Sequence, residues 1–348
     1  SGILCFQADL CAALFALDAG DDDACAKALE SAFTVGAARD YLNHNSFRPA
    51  VMARLCAFAL AHDIAPGYAR RLIRERKLKP PALEVEGWPW PVRIYALRRF
   101  SLVVDGRSIA ETSPLQHKPV ELLQALLSFG GRQVAIARLI DCLWPEAESK
   151  SGRGAFDTAL LRLRRLLGHD DSLIIEGGRL TLNPMLCWVD VWCFERLLGA
   201  IEEGLLHPGD SDTEDLLARN DTLLGFYHGD FLEHESAHPW ATRRQERLRD
   251  RLLNVVDRIG RRLQAGQFWD RAVTHYRRAI ILEPLAEPFY RRLMVCLQRL
   301  GERAEALRVY AQCRKALSGG LQATPSPATE AIREAIESLS RLQDGFTG

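Results

Sequence analysis

The sequence predicts a mainly α-helical protein with a helical repeat segment, a winged helix of mixed α and β structure, and an all-α tetratricopeptide-like domain. Apolar residues recur at three- and four-residue steps through residues 3–79 and again through 188–345. Between these regions, β-forming runs bounded by turn signals occupy 92–110 and 173–182. The C-terminal part also repeats itself with a period of 34 residues, which is typical of tetratricopeptide arrays.

Length and composition bound the class of protein. The chain has 348 residues, 47% of them hydrophobic and 26% charged, which predicts a globular protein of two or three domains. Because 45 basic and 45 acidic residues cancel, any surface for nucleic acid or membrane must be local. The nine cysteines form no CxxC pair, which predicts free thiols in a reducing cytoplasm, without disulfides or zinc. We recognise neither a signal peptide nor a run of about 18 apolar residues, and so expect no membrane helix.

Residues 1–79 are predicted to form a helical repeat segment. Gly20, followed by three aspartates, indicates the end of one helix and the acidic start of the next. We expect Leu29, Phe33 and Val35 to pack inward. Short helix hairpins of this kind usually belong to a repeat array.

A basic run, YARRLIRERKLKPP, closes this segment. Its cations either lie on a solvated helix end or contact phosphate, and the sequence leaves both alternatives open. Residues 80–91 follow and contain the stretch EGWPWPV, in which two prolines interrupt any helix. We expect this stretch to be a linker or the start of a new domain.

Residues 92–185 predict a winged helix. Asp105-Gly106 lies within a run rich in Val, Ile, Tyr and Phe, and predicts the turn of a small antiparallel sheet. The predicted helices are 117–128, 135–144 and about 150–168. Gly177-Gly178 between two short apolar runs then predicts a tight hairpin over 173–182. This order of elements is typical of a winged helix, a relative of the helix-turn-helix.

The third of these helices carries the excess positive charge of the domain. Residues 150–168 contain five basic residues and one acid, Asp157, whereas 92–185 as a whole contains 13 basic and 10 acidic residues. The stripe predicted to face the core consists of Phe156, Leu160, Leu163 and Leu167. The opposite side is therefore predicted to face outward with most of the cations.

That outward side is the candidate functional site. A helix can enter the major groove of DNA while its cations neutralise phosphates. Gly154 and Thr158 leave room for close approach, and Leu161 suits a thymine methyl or a protein contact. Arg179 on the hairpin could reach a minor groove or a phosphate. The candidate contacts are Lys150, Arg153, Thr158, Leu161, Arg162, Arg164, Arg165 and Arg179. A solvated scaffold helix is the alternative.

Other motifs give no catalytic prediction. HESAH at 234–238 matches the HExxH pattern of zinc proteases, but Pro239 follows at once and no helical period precedes it. We therefore interpret it as a polar loop. The sequence contains neither a GxxxxGK[ST] nor a GxGxxG motif, and no Ser or Cys has the partners of a catalytic triad. We expect no catalytic, cofactor or metal site, and no enzyme.

Residues 186–348 are predicted to form the tetratricopeptide-like domain. Residues that match at a spacing of 34 are Ala272 with Ala306 and Tyr276 with Tyr310. Gly266 and Gly301 fall at the predicted turns between helices. The groove of such an array could bind a peptide or a second protomer.

Several of these motifs together resemble a known arrangement. The run LQHKPVELLQALLSFGGRQVAIARLIDCLWPEAESKSGRGAFDTALLRLRRLLG, then LIIEGGRLTLNP and WVDVWCFERLL, resembles an OmpR-type winged helix joined to a bacterial transcriptional activator domain. Antibiotic-pathway activators of the SARP type share this pairing. GDFLEHESAHPWATRRQERLRDRLL, the repeat and GGLQATPSPAT resemble the all-helical activator domain. The resemblance covers 92–345. Residues 3–91 resemble the end of the helical repeat region of large MalT-like regulators, so we expect the C-terminal part of a larger protein.

The resemblance implies a cytoplasmic transcription regulator, an activator, that binds double-stranded DNA. It implies that the helix at 150–168 is the recognition helix, that 173–182 is the wing, and that the loop 144–152 contacts RNA polymerase. A homodimer is a further expectation, and the resemblance suggests binding to direct repeats. Family recognition helices carry polar groups where this chain has Gly154 and Leu161, so base specificity is not carried over. The alternative hypothesis is a protein-interaction scaffold whose winged domain does not bind DNA.

Overall fold

The computed structural model of the chain describes residues 2–45, 47–81, 85, 87–109, 117–147, 149–206, 213–233, 238–320 and 322–344. Over these residues the protein is mainly α-helical, as predicted. It divides into two compact units, Ser1–Cys193 with Phe231–Arg244, and Phe194–Asp230 with Gln245–Gly348. The domain boundaries proposed from the sequence remain predictions.

The N-terminal segment is helical, as predicted. Its helices are α1 (Gly2–Ala19), α2 (Asp22–Arg39), α3 (Pro49–Ala61) and α4 (Pro66–Glu75). Gly20 has φ 74° between α1 and α2, and the carboxylate of Asp21 accepts the N–H of Ala24 at 3.0 Å. This is the predicted helix end followed by an N-cap.

The inward face of α2 agrees with the prediction at two of three positions. Leu29 and Phe33 are fully buried, whereas Val35 is only half-buried. Val35 lies about 200° around the helix from Phe33 and next to the buried Ala32, so it is at the edge of the buried stripe. Val35 therefore packs inward only in part.

Helix α1 corrects the expectation about apolar runs. Its 18 residues have a mean hydropathy of 1.6, long and apolar enough to cross a membrane by length and composition alone. Asp9 and Asp18 interrupt the run but leave its mean hydropathy high. Phe6 is buried within the segment, whereas Phe15 is 74% exposed.

Residues 80–91, expected as a linker or a domain start, contain two buried tryptophans. Trp88 and Trp90 are 3% and 4% exposed. The Arg93 guanidinium donates to the Trp88 carbonyl at 2.9 Å. A Cβ atom on Gly87 would lie 3.5 Å from Cβ of Leu60, so this stretch runs close against α3. The two tryptophans thus anchor the chain just before the first strand.

The first sheet has four strands. They are β1 (Val92–Tyr95), β2 (Ser101–Val104), β3 (Arg107–Ile109) and β7 (Cys187–Val189), in the order β3-β2-β1-β7. The turn between β2 and β3 is the predicted Asp105-Gly106, with φ values of 47° and 78°. Strand β7 pairs in parallel with β1 and was not predicted. The sheet is therefore mixed, not purely antiparallel, and includes residues beyond the boundary predicted at 185.

Asp190 connects the end of β1 to the start of helix α8 (Asp190–Leu206) through hydrogen bonds. Its carboxylate accepts the backbone N–H groups of Ala96 and Leu97 at 2.9 Å and that of Val191 at 2.6 Å. Burial raises the pKa of the Asp190 carboxyl to about 6, and the three N–H groups oppose that rise. The buried carboxylate thus holds the strand end and the helix start together.

The rest of the winged helix follows the predicted order. Its elements are α5 (His117–Ser128), β4 (Val134–Ala135), α6 (Ile136–Leu143), α7 (Ser149–Leu167), β5 (Leu173–Glu176) and β6 (Arg179–Leu182). Gly177 and Gly178 take φ values of 55° and 72° in the wing turn, which favours glycine at both positions. The two-residue strand β4 was not predicted, and it pairs with β6 to give a second sheet of order β4-β6-β5.

The C-terminal unit is helical, as predicted. Its further helices are α9 (Thr213–Phe226), α10 (Pro239–Ala265), α11 (Trp269–Leu282), α12 (Glu287–Arg299), α13 (Arg303–Gly320) and α14 (Pro327–Asp344). Helices α11 and α13 begin at 269 and 303, in keeping with the 34-residue period, and Ala272 and Ala306 are both fully buried. Tyr276 is buried against Gly260 of α10, whereas Tyr310 is half-buried and donates to Glu330 at 2.5 Å. The repeat is therefore present but loose.

Candidate nucleic-acid interface

Helix α7 lies close to α6 because of a glycine. Gly152 is buried, and a Cβ atom there would lie 2.9 Å from Cγ2 of Ile140. The absence of a side chain lets the first turn of α7 pack on α6. Sequence analysis did not single out this glycine. Residues 149–152, predicted in the loop, belong to this first turn, and residue 148 lies outside the described part of the chain.

The predicted core face of α7 is confirmed. Phe156, Leu163 and Leu167 are fully buried and Leu160 is 5% exposed. A side chain of this size contributes about 1.5–3 kcal/mol when it leaves water, so this stripe fixes the rotation of α7 about its axis. That rotation determines which cations face outward.

Three cations of α7 face outward and are free. Lys150, Arg162 and Arg165 are exposed, and within the described residues none of them has an ion pair or a hydrogen bond. Leu161 is 51% exposed on the same helix. Its exposure agrees with the predicted outward position. Without acidic partners, these cations keep their full attraction for an anion.

The open surface of α7 continues toward its N-terminus. A Cβ atom on Gly154 would meet no heavy atom within 4 Å. The Thr158 hydroxyl donates back to the Gly154 carbonyl at 2.9 Å, a hydrogen bond within the helix. This stretch presents small groups and allows another molecule to approach the backbone closely.

The other predicted contacts are engaged within the protein. Arg153 Nε lies 3.2 Å from the Asp157 carboxylate, and both side chains are 53% exposed. Arg164 is half-buried and donates to the Leu173 carbonyl of β5 at 3.3 Å, while its Nε is buried without a hydrogen-bond partner. An exposed ion pair between residues four apart on a helix contributes little to stability, and its partners exchange readily. The Arg164 side chain, in contrast, is half-buried and directed to the wing. The sequence grouped these cations with the free ones, and the structure separates them.

Arg179 also braces the wing. Its guanidinium donates to the Gln133 carbonyl at 2.9 Å, just before β4. The Gln133 N–H donates in turn to the Thr181 hydroxyl on β6 at 2.9 Å. Ile175, on β5 next to the wing turn, is 39% exposed and was missed by sequence reasoning. The wing is therefore held in place at its base, with its tip open to solvent.

The HESAH motif lies mostly outside the described residues, since 234–237 are not among them. His238 is described, and its ring stacks on Trp240 with ring centroids 4.8 Å apart. Among the residues that the structure describes, no group of three or more His, Cys, Asp and Glu side chains is placed to hold a metal ion.

A second basic helix, α10, differs from α7 in the surroundings of its arginines. It contains eight arginines and three acids. Arg251 makes two hydrogen bonds to the Glu202 carboxylate, at 3.0 and 2.7 Å. Arg249 donates to Glu283 at 2.6 Å, and Arg261 pairs with an aspartate one turn away at 2.7 Å. These arginines are neutralised by carboxylates of the C-terminal unit.

Comparison with known proteins identifies the C-terminal unit. Residues 189–337 match the family model of the bacterial transcriptional activator domain. The regulatory protein AfsR of Streptomyces coelicolor is 30% identical over 233 residues, covering 67% of this chain and 23% of AfsR. AfsR of Streptomyces griseus is 29% identical over 228 residues, covering 64% of this chain and 23% of that protein. The chain thus spans less than a quarter of the length of these relatives.

Two further proteins are similar. The regulatory protein DnrI of Streptomyces peucetius is 27% identical over 241 residues, covering 64% of this chain and 85% of DnrI. The solved structure of Mycobacterium tuberculosis EmbR in complex with a low affinity phosphopeptide has a TM-score of 0.51 and 18% identity, covering 72% of this chain and 66% of that one. EmbR shows a shared fold. The chain therefore carries a bacterial transcriptional activator domain behind a winged helix, as predicted, and is similar to regulatory proteins of the SARP type.

Proposed function

We propose that this chain binds duplex DNA through α7 and the β5–β6 wing, and that it regulates transcription as an activator. The observation that carries the proposal is the outer face of α7, where Lys150, Arg162 and Arg165 are exposed and free within the described residues. The similarity to named regulatory proteins and the activator domain at 189–337 support it.

In this proposal α7 lies in the major groove. Arg162 and Arg165 contact phosphates or base edges from the middle of the helix. Lys150 contacts a phosphate near the N-terminus of α7, where the helix dipole also favours an anion. Arg153 can exchange the Asp157 carboxylate for a phosphate, because their ion pair is exposed.

Three further side chains receive narrower roles. Leu161 is positioned for a thymine methyl group on the groove floor, with Thr158 and its small side chain beside it. Arg164 is not assigned to phosphate, because its guanidinium is directed to the Leu173 carbonyl. It is a positioning residue that holds the wing against α7. Arg179 at the base of the wing is close enough to the open hairpin tip to contact a phosphate or the adjacent minor groove.

The partners beyond DNA are assigned by resemblance. The segment 144–152 would contact RNA polymerase, and the C-terminal unit would hold a second protomer or transmit a signal. The chain would act in the cytoplasm. Helix-turn-helix relatives commonly bind as dimers with half-sites about one helical turn of DNA apart.

Binding to random-sequence duplex DNA across a salt series tests the proposal. The logarithm of affinity should fall linearly with the logarithm of salt concentration for the parent chain. In the double variant R162A/R165A we expect the slope to fall by about two and the affinity at about 0.1 M salt to fall about tenfold to a hundredfold. The matched control is R243A/R247A, which removes two exposed arginines from α10. We expect the control to bind as the parent does.

Two results would contradict the proposal. If the parent chain ignores DNA at low salt, the scaffold hypothesis replaces it. If R243A/R247A loses as much affinity as R162A/R165A, binding follows net charge and α7 is not the interface. Circular dichroism and thermal unfolding of each variant show whether it is folded.

A further inference from the structure

A second concentration of positive charge lies at the end of α4, in the unit that contains the winged helix. Residues 70–79 contain six cations and a single acid, Glu75. This short stretch is more basic than α7, yet the proposed function does not use it. Its cations are therefore a separate feature of the surface.

Two of these cations are engaged within the segment. Arg71 pairs with Asp40 at 2.6 Å and with Glu75 at 2.7 Å. Arg76 lies over the ring of Phe47, 4.7 Å from its centroid, and donates to an asparagine at 3.4 Å. Their charges are accounted for by local contacts.

The other four cations are free. They are Arg70, Arg74, Lys77 and Lys79, named here the α4 basic surface. All four are exposed, and none has a side-chain hydrogen bond or ion pair within the part of the chain that the structure describes. The dipole of α4 accounts for a cation in its last turn, where Arg74 lies. It does not account for Arg70 a turn earlier, or for Lys79 beyond the helix.

The α4 basic surface stands on an ordered base. Leu72, Ile73 and Leu78 are at most 5% exposed. The Leu78 N–H donates to the Ile73 carbonyl at 3.0 Å, and the Lys77 N–H donates to the Arg74 carbonyl at 3.3 Å. With Lys77 at φ 48°, these bonds close the helix in the manner of a Schellman cap. The chain direction after α4 is thus fixed, and so are the backbone positions from which its cations extend.

This base is joined to the winged helix by packed residues. Gly87 runs against Leu60 of α3, and the buried Trp88 accepts a hydrogen bond from Arg93 of β1. The surface is therefore carried together with the winged helix and not on a free tether.

We propose that the α4 basic surface binds the phosphate backbone of the same duplex that α7 contacts, outside the α7 footprint. The proposal rests on the proposed function. A row of phosphates is the polyanion that matches four free cations on an ordered backbone, and each neutralised phosphate contributes about 0.9 to the salt slope. Arg70 and Arg74 lie about 6 Å apart along α4, so both can follow one strand.

The test compares two lengths of duplex DNA. A short duplex of about 20 base pairs accommodates α7 and the wing, and a long one of about 50 base pairs adds flanking phosphates. With affinity expressed per available site, since the longer duplex offers more registers, the parent should bind the long duplex about tenfold tighter, with a salt slope steeper by about three. The variant R70A/R74A/K77A/K79A should lose that advantage and bind the short duplex as the parent does. The matched control R243A/R247A/R314A/K315A removes the same charge from exposed positions elsewhere and should keep it.

The outcomes separate this proposal from the one before it. Equal binding of both duplexes by the parent, or an unchanged advantage in the α4 variant, overturns the α4 proposal alone. An equal loss on both duplexes also overturns it, because the surface would then lie inside the α7 footprint. Failure of the proposed function shows differently, as no binding by the parent or no effect of R162A/R165A on either duplex. Thermal unfolding of the α4 variant tests whether its exposed substitutions leave the fold intact.

Discussion

Helices α7 and α10 are both strongly basic, yet they use their charge in opposite ways. Arg162 and Arg165 of α7 are exposed without acidic partners among the described residues. Arg249 and Arg251 of α10 are bound by carboxylates from other helices of the C-terminal unit or from the segments between them. These paired arginines of α10 are bound within their own unit, whereas Arg162 and Arg165 of α7 remain available to a partner. The count of basic residues on a helix therefore does not identify an interface, because part of that charge is bound within the protein.

The largest change in stability is expected on substitution of Glu283, which tests whether the ion pairs of α10 stabilise the protein. Its side chain is 9% exposed and accepts hydrogen bonds from Arg249 at 2.6 Å and from the Tyr227 hydroxyl at 3.2 Å. E283Q removes the charge that Arg249 faces in a mostly buried site. We expect a loss of about 1–3 kcal/mol in the free energy of unfolding, measured by urea denaturation. DNA affinity should change less than about twofold, because the paired arginines take no part in binding.

The matched control for this substitution is E246Q, an exposed acid on α10. It should leave the unfolding free energy within about 0.5 kcal/mol of the parent. If E283Q is as mild as the control, the ion pairs of α10 contribute nothing to stability. The contrast with α7 would then lose its physical basis.

A smaller effect is expected at Arg164, which separates engaged from free cations within α7. R164A removes one hydrogen bond to the wing and also one buried Nε without a partner. These terms oppose each other, so the unfolding free energy should change by less than about 1 kcal/mol. The slope of the DNA salt series should stay at the parent value, whereas R165A should lower it by about one. A drop of about one in R164A would mean that Arg164 contacts phosphate after all.

The smallest effect is expected at Leu161. Because its side chain is half exposed, L161A should alter the unfolding free energy by less than about 0.5 kcal/mol. On duplexes in which uracil replaces thymine, the parent should bind about fourfold less tightly, the value of one buried methyl group. L161A should bind both duplexes alike. Equal binding of the two duplexes by the parent would contradict the thymine contact. Leu161 would then be assigned to contact with a protein partner.

Local patterns in the sequence were sufficient for most of the winged helix. Asp105-Gly106 and Gly177-Gly178 predicted both hairpin turns, since two-residue turns need positive φ. The stripe from Phe156 to Leu167 predicted the buried face of α7, because burial follows the helical period. Strand β7 was missed. Three residues carry too little periodicity to indicate a strand, and β7 exists only through pairing with a strand more than 90 residues earlier in the chain.

The sequence predicted which residues form the candidate site, but not whether each side chain is free or bonded within the protein. Composition pointed to the cations of α7, yet it gave no sign that Arg164 turns to the Leu173 carbonyl while Arg165 stays free. That distinction depends on how β5 packs beside α7, which is a tertiary property. Gly152 was not predicted for the same reason, because its role depends on its short distance to Ile140 on another helix.

Strand β7 also has a consequence for the order in which the protein folds during its synthesis. The first sheet acquires its fourth strand only after residues 187–189 leave the ribosome, by which time α7 and the β5–β6 wing have already been made. Until then the edge of β1 stays open, and the N–H groups of Ala96 and Leu97 lack the Asp190 carboxylate that they will bond. The winged helix is thus completed only by residues 187–190, which adjoin the start of the stretch matched to the activator domain at 189.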